Sequence, residues 1–333
     1  MVDGAKDLFH RDRRTIDDIR EAFKIEDPLE PLVAFSFKPR AGFDHAYALE
    51  MTRDVVKAGV RIVEFDTRNI EDPVGAFDQW RELAETAATV ASARGLVGTF
   101  APNLSHSSPV AVELADKWCN LATDIGPKTV KVDGGLDGLS TIQGIRKSHA
   151  DEPIVTTYPT LRTILRSAIG TSDFWIEMLA MSGSDIIYPG NRPTFNETRI
   201  VGGDDTRSLE LSAERYGILT KRRWPMPTFA AGVHPGHLQV AFELLGPDVA
   251  YFLGGAIALH PSGPGAGARL CMQILEVSRK HAKNALKKGS DFGEDLPAKL
   301  IAEIESYRAN GLPVYYKSPS TVFGDRLKPF YRR

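Results

Sequence analysis

The strongest constraint on the fold of this chain is an alternation that begins near residue 32 and continues to residue 286. Short apolar runs, each too brief for a helix, hand over to longer stretches with apolar residues at helical spacing. Strands are expected at Leu32–Phe37, Arg61–Asp66, Leu96–Phe100, Thr129–Val132, Pro153–Thr157, Ser184–Tyr188, Pro227–Ala231 and Val249–Phe252. The intervening periodicity predicts helices at 44–58, 76–94, 109–125, 140–148, within 161–181, and at 207–220, 237–245 and 266–286. A strand followed by a helix, repeated eight times without a break, fits a closed (β/α)8 barrel better than an open sheet. The expected fold is therefore α/β, a TIM barrel over residues 31–290. A polar lead-in, 1–30, precedes it, and 291–333 forms a helical extension with an aromatic and basic tail that packs on the barrel or on a partner subunit.

Composition removes several function classes. A net charge of -2 with 25% charged residues gives no footprint for nucleic acid or an acidic membrane surface, which leaves small molecules and other protein chains as partners. No apolar stretch is long enough to span a membrane. Met1 to Arg20 carries charge where a signal peptide needs an apolar core, so the expected location is cytoplasmic. The two cysteines, Cys119 and Cys271, are too few for a disulfide framework and are expected to be buried small hydrophobes.

In a barrel the chemistry gathers at the C-terminal ends of the strands, so polar residues there are the first candidates. Lys38 ends the first strand and can serve as general base or electrostatic clamp. Glu64 and Asp66 fall on one face of the second strand, where two carboxylates can hold a hard cation such as Mg²⁺ or pair with Arg61 or Arg68. The same period aligns Lys131 with Asp133 at the end of the fourth strand. Either Asp133 joins the carboxylates as a third metal ligand, or Lys131 neutralises Glu64 across the barrel; spacing leaves both open.

Strand five ends in hydroxyls, Thr156, Thr157 and Tyr158. Tyr188 ends strand six and opens a loop over 191–205 that is the natural candidate for a lid.

Strands seven and eight end in Gly232 and in Gly254-Gly255, where backbone N–H groups can approach a phosphate. His234, His237 and His260 lie close by in sequence. A strand-to-helix corner does not aim a His-x-x-His pair at one ion, so hydrogen bonding is the favoured role for at least two of them, with His234 kept as a substrate contact.

Taken together, Phe37-Lys38-Pro39-Arg40-Ala41-Gly42, Glu64-Phe65-Asp66, the Pro227–His237 segment and Gly254-Gly255 leading to His260-Pro261 resemble the large subunit of ribulose bisphosphate carboxylase and its RuBisCO-like relatives. The resemblance runs from about Pro31 to Lys288. It implies proton transfer by Lys38, with Arg40 where a second lysine is usual. It also implies a phosphate cradle at Gly232, Gly254 and Gly255, and a magnesium ligand at Asp66.

The family pattern breaks around that ligand. Glu64 replaces the lysine that carboxylases carbamylate, and Thr67 replaces the next acidic ligand. Thr157, Tyr158, Tyr188 and Ala230 stand where the family has histidine, arginine, histidine and serine. The loop after strand six has Thr194 near its catalytic lysine, with Arg192 as a substitute cation. The first thirty residues leave no room for the family's N-terminal domain, so a partner chain supplying that cover is one expectation, and a homodimer or larger homo-oligomer another.

What this implies is an enzyme other than a carboxylase, an isomerase, tautomerase or decarboxylase. It would act on a small phosphorylated sugar or sugar acid through an enediolate held by Mg²⁺ on Glu64, Asp66 and Asp133. The alternative is a non-catalytic sugar-phosphate-binding or scaffold protein that kept the barrel and lost the chemistry.

Overall fold

A computed structural model of the chain describes residues 14–38, 44–65, 75–122, 125–135, 137–158, 172–189, 216–230, 232–288 and 295–310. Eight parallel strands form one sheet in the order β3-β2-β1-β8-β7-β6-β5-β4. They are β1 Leu32–Ser36, β2 Ile62–Glu64, β3 Thr99–Ala101, β4 Thr129–Asp133, β5 Ile154–Tyr158, β6 Ile186–Ile187, β7 Met226–Phe229 and β8 Ala250–Phe252. A parallel bridge between Asn103 and Lys131 joins the two ends of that order, so the sheet closes into the expected barrel.

Seven of the expected strands overlap the observed ones with shifts of a residue or two at their ends. The third starts later than expected, at Thr99. Gly95, in the left-handed region at φ +68°, ends the turn after the preceding helix, and Leu96 to Gly98 approach the sheet without joining it.

Strand alternation divides the side chains into two layers. Val33, Phe35, Val63, Val130, Val155, Ile187 and Phe229 point outward into the main core beneath the helices. Leu32, Ala34, Ile62, Ala101, Ile154, Ile186, Met226 and Ala250 point inward and form a second apolar cluster. That inner cluster is completed by residues of the lead-in. Thr15 caps a helix, α1 (Ile16–Ala22), through a reciprocal pair with Asp18: the Asp18 N–H donates to Thr15 Oγ1 at 3.2 Å and the Thr15 N–H to Asp18 Oδ2 at 2.6 Å. Ile16, Ile19 and Phe23 are fully buried against the inner cluster and close the N-terminal end of the barrel. The lead-in thus contains a plug that its polar composition hid.

Arg61 belongs to this closed end. Its guanidinium donates to Phe23 O at 2.9 Å and to Glu30 Oε1 at 2.5 Å, so it does not pair with Glu64.

Further along the inner faces the residues change character. One step beyond the apolar layer come Ser36, Glu64, Lys131, Thr156 and Thr228, all buried. The barrel is therefore dry at its N-terminal end and polar at its C-terminal end, the polarity expected of a barrel with a site at its mouth.

Helix α2 (Pro264–Lys288) follows β8, and α3 (Ala298–Glu305) continues into a 3₁₀ turn, Ser306–Asn310, within the extension expected over 291–333. Cys119 and Cys271 are both buried, and burial pushes the Cys119 thiol up to about 12 and the Cys271 thiol higher still, which suits the inert role expected of them. Among the described residues no helix is long and apolar enough to cross a membrane.

Candidate active site

The C-terminal ends of the strands surround a cavity of about 680 Å³. Of the residues singled out by the sequence, Lys38, Glu64, Lys131, Gly232, Gly254 and Gly255 all line it. They come from β1, β2, β4, β7 and β8, so the fold brings together positions spread over more than two hundred residues of chain.

On one side lies a charged cluster. Lys131 Nζ donates to Glu64 Oε1 at 2.6 Å, and the Ser36 hydroxyl donates to the same oxygen at 2.5 Å. Glu64 is 1% exposed and Lys131 6% exposed, so the ion pair sits in a medium where mutual neutralisation matters. The ammonium also lies 4.6 Å from the centroid of the Tyr158 ring, a cation–π contact that holds the lysine from its other side. Asn103 Nδ2 in turn donates to the Tyr158 hydroxyl at 3.3 Å. Of the two arrangements that strand spacing left open for β4, the structure contains the one in which Lys131 neutralises Glu64.

Asp133 is fully buried but does not line the cavity. Its Oδ1 accepts from the Gly135 N–H at 2.8 Å, and its own N–H donates to Ser105 Oγ at 2.9 Å, so it organises the turn that leaves β4. Among the described residues no three His, Cys, Asp or Glu side chains converge as a metal site. Asp66, Arg40 and Arg192 lie outside the described residues, as does the expected lid over 191–205.

On the other side lies the backbone cradle. Gly232 sits at φ +70°, a conformation that a side chain would strain, and a Cβ there would meet nothing within 4 Å. Gly254 is required for a different reason. A Cβ there would lie 3.0 Å from Ser36 O and 3.1 Å from Lys38 Cε, so the glycine lets Lys38 cross the end of β8. At Gly255 a Cβ would meet only Leu259 Cδ1, at an ordinary 3.6 Å.

His234 stands behind this cradle, and the cavity wall does not include it. Its Nδ1 accepts from the Gly236 N–H at 3.1 Å, and its own N–H donates to His237 Nδ1 at 3.0 Å, two bonds that shape the 3₁₀ turn Pro235–His237. The structural role expected for two of the histidines thus falls to His234 and His237. The rings of His234 and His260 both pack edge-on against Tyr307, at 5.1 and 5.3 Å between centroids. Tyr307 is fully buried, and its hydroxyl makes a short hydrogen bond to the carbonyl of Ala256, in the helical turn Gly254–Ala258 that carries two of the cradle glycines. His260 Nε2 lies 3.4 Å from Glu303 Oε1; burial nevertheless holds its pKa below the ordinary histidine value, with Glu303 opposing the shift and Arg269 adding to it.

Sequence reading missed Ser36, Asn103 and Tyr307. Ser36 was detectable as the inward residue two places after Ala34. Tyr307 carried no such signal, because its partner is a carbonyl some fifty residues away.

Fold and cavity together define a parallel barrel whose mouth sets glycine backbone opposite a buried lysine–glutamate pair. Comparison with known proteins agrees on the barrel. No family model matches the chain. The ribulose bisphosphate carboxylase of Thermococcus onnurineus is 25% identical over 288 residues, which covers 79% of this chain and 61% of that protein. The chain therefore spans about three-fifths of the length of that relative. Among solved structures, the dimeric archaeal Rubisco from Hyperthermus butylicus superposes with a TM-score of 0.71 at 18% identity, over 92% of this chain and 72% of that one. The Rubisco-like protein MtnW from Alicyclobacillus acidocaldarius gives 0.68 at 19%, over 92% and 74%. The resemblance read from the sequence holds over most of the chain, and its barrel is Rubisco-like.

Proposed function

We propose that this barrel binds a small phosphorylated sugar or sugar acid and enolises it without carboxylation, as an isomerase, tautomerase or lyase. The observation that carries this reading is that Lys38, the Lys131–Glu64 pair and the glycine cradle share one cavity. The cradle anchors the phosphate through backbone N–H groups of the segments at Gly232 and Gly254-Gly255, far from the reacting carbon, so that binding energy goes into orientation. Lys38 crosses Gly254 into the same space and moves the proton next to the carbonyl. Negative charge developing on the carbonyl oxygen is met on the other side of the cavity, where Lys131 supplies a fixed cation. The histidines, arginine and serine that the carboxylase resemblance calls for at strands five to seven are replaced by Thr157, Tyr158, Tyr188 and Ala230, none of which carries charge near neutral pH.

The described residues do not fit a resident Mg²⁺. Among the described residues of the cavity wall the one acidic side chain, Glu64, already receives an ammonium and a hydroxyl on a single oxygen, and Asp133 is engaged by the backbone.

By analogy with its dimeric structural neighbour, we also place the chain in a homo-oligomer, with the cover of the cavity supplied by another copy or a partner chain.

The test is to follow exchange of the substrate's α-proton with deuterium by NMR over a panel of sugar phosphates. Lys38→Ala is expected to slow exchange by roughly 10²–10⁴, the usual worth of a general acid–base group. A panel member that stabilises the fold in a thermal shift but exchanges no proton would favour the non-catalytic binding protein.

A further inference from the structure

Resting on that reading of the cavity, we propose that Lys131 takes the place of a divalent cation, so that the site presents an ammonium to its ligand's oxygen and binds no Mg²⁺ of its own. A buried carboxylate in a cavity wall offers oxygen ligands to a hard cation. In this chain that seat is filled from within. Lys131 Nζ and the Ser36 hydroxyl converge on one Glu64 oxygen at 2.6 and 2.5 Å. The lysine reaches it from β4, on the far side of β3, and the Tyr158 ring 4.6 Å from its ammonium keeps it there. A divalent ion at Glu64 would have to displace an ammonium from a nearly solvent-free contact and then sit beside that ammonium, a repulsion that the low-dielectric wall amplifies. The ammonium offers what a metal offers a carbonyl oxygen, positive charge at a fixed point, without its coordination geometry. Glu64 acts as a positioning residue and Lys131 as the group that touches ligand.

The arrangement makes opposite claims for the wild type and for one variant. With Mn²⁺ as a paramagnetic stand-in for Mg²⁺, titration of the full chain followed by electron paramagnetic resonance is expected to show no site that depends on Glu64. Lys131→Met removes the ammonium and keeps the stem, leaving Glu64 to a metal. It is expected to raise Mn²⁺ affinity by roughly tenfold or more, and Glu64→Gln added to it is expected to abolish the gain. One Mn²⁺ bound per wild-type chain and lost in Glu64→Gln would overturn the proposal. So would a Lys131→Met protein with wild-type circular dichroism that gains no site. These measurements use metal alone, with neither substrate nor turnover, so the enolisation reading can stand if this one falls.

Discussion

The two walls of the cavity are built on different principles. The cradle at β7 and β8 is made of backbone, shaped by a left-handed Gly232 and a close approach at Gly254, and braced from behind by a shell of rings around Tyr307. The opposite wall, from β1, β2 and β4, is made of side chains whose positions depend on one another: Ser36 and Lys131 on Glu64, Tyr158 on Lys131, Asn103 on Tyr158. Backbone geometry fails locally when a residue is changed, whereas a charge network fails as a unit. Damage on the cradle side should therefore appear first in ligand affinity, and damage on the charged side in stability.

The largest expected effect on stability tests the charged wall. Glu64→Leu leaves the Lys131 ammonium buried without its carboxylate and should cost about 3 kcal/mol, the low end for a broken buried pair because Lys131 borders the cavity. Adding Lys131→Met should restore most of it, which urea midpoints of the three proteins would reveal; a double variant no better than the single would show that the two residues do not act as a unit. On the cradle side, Gly254→Val should cost about 1–3 kcal/mol through overpacking against Ser36 O and Lys38, and should weaken phosphate-ester binding as well. Gly255→Ala, where a Cβ would meet only Leu259 Cδ1 at 3.6 Å, is the steric control and should leave the urea midpoint close to wild type.

A smaller effect probes the brace. Tyr307→Phe deletes the hydroxyl that meets Ala256 O while keeping the ring, so a loss of about 1 kcal/mol in stability is expected, together with a rise in the ligand dissociation constant. Unchanged calorimetric affinity would mean that the C-terminal extension merely covers the cradle. The smallest effect is a pH dependence. Because burial lowers the His260 pKa in the folded state, its contribution is complete above the unfolded value near 6.5 and is lost as the pH falls from there through the folded pKa. Thermal midpoints between about pH 7.5 and pH 5 should therefore decline less steeply in His260→Gln than in the wild type.

Legibility in the sequence followed the same division. The barrel could be read because each strand is a short apolar run bounded by turn residues, and the glycines of the cradle are individual residues whose meaning is local. Glu64, Lys131 and Lys38 could be placed at the mouth by strand period alone. Which of them would pair was not legible, since β2 and β4 meet only through the curvature of the closed sheet, and β3 lies between them. Asp133 shares the inward parity of Lys131, yet the turn after β4 captures its carboxylate with the Gly135 N–H. His234 lies two residues beyond Gly232, and its Nδ1 is taken by the N–H of Gly236 in its own loop. The plug at Ile16, Ile19 and Phe23 was masked by the charged residues on the other face of a seven-residue helix, too short for periodicity to stand out.

Lys131 has one more property. Its main chain closes the barrel: its N–H donates to Pro102 O and its carbonyl accepts from the Leu104 N–H, both at 2.8 Å. Beside the five-residue register between β4 and β5, this seam is thin, so it is where the wall should breathe first. A ligand oxygen held by the ammonium would therefore pull on the stitch as well as on the charge. Occupancy of the cavity should be audible in the backbone, as slowed amide hydrogen exchange at Lys131 and Leu104, on the opposite side of the barrel from Gly232 and Gly254.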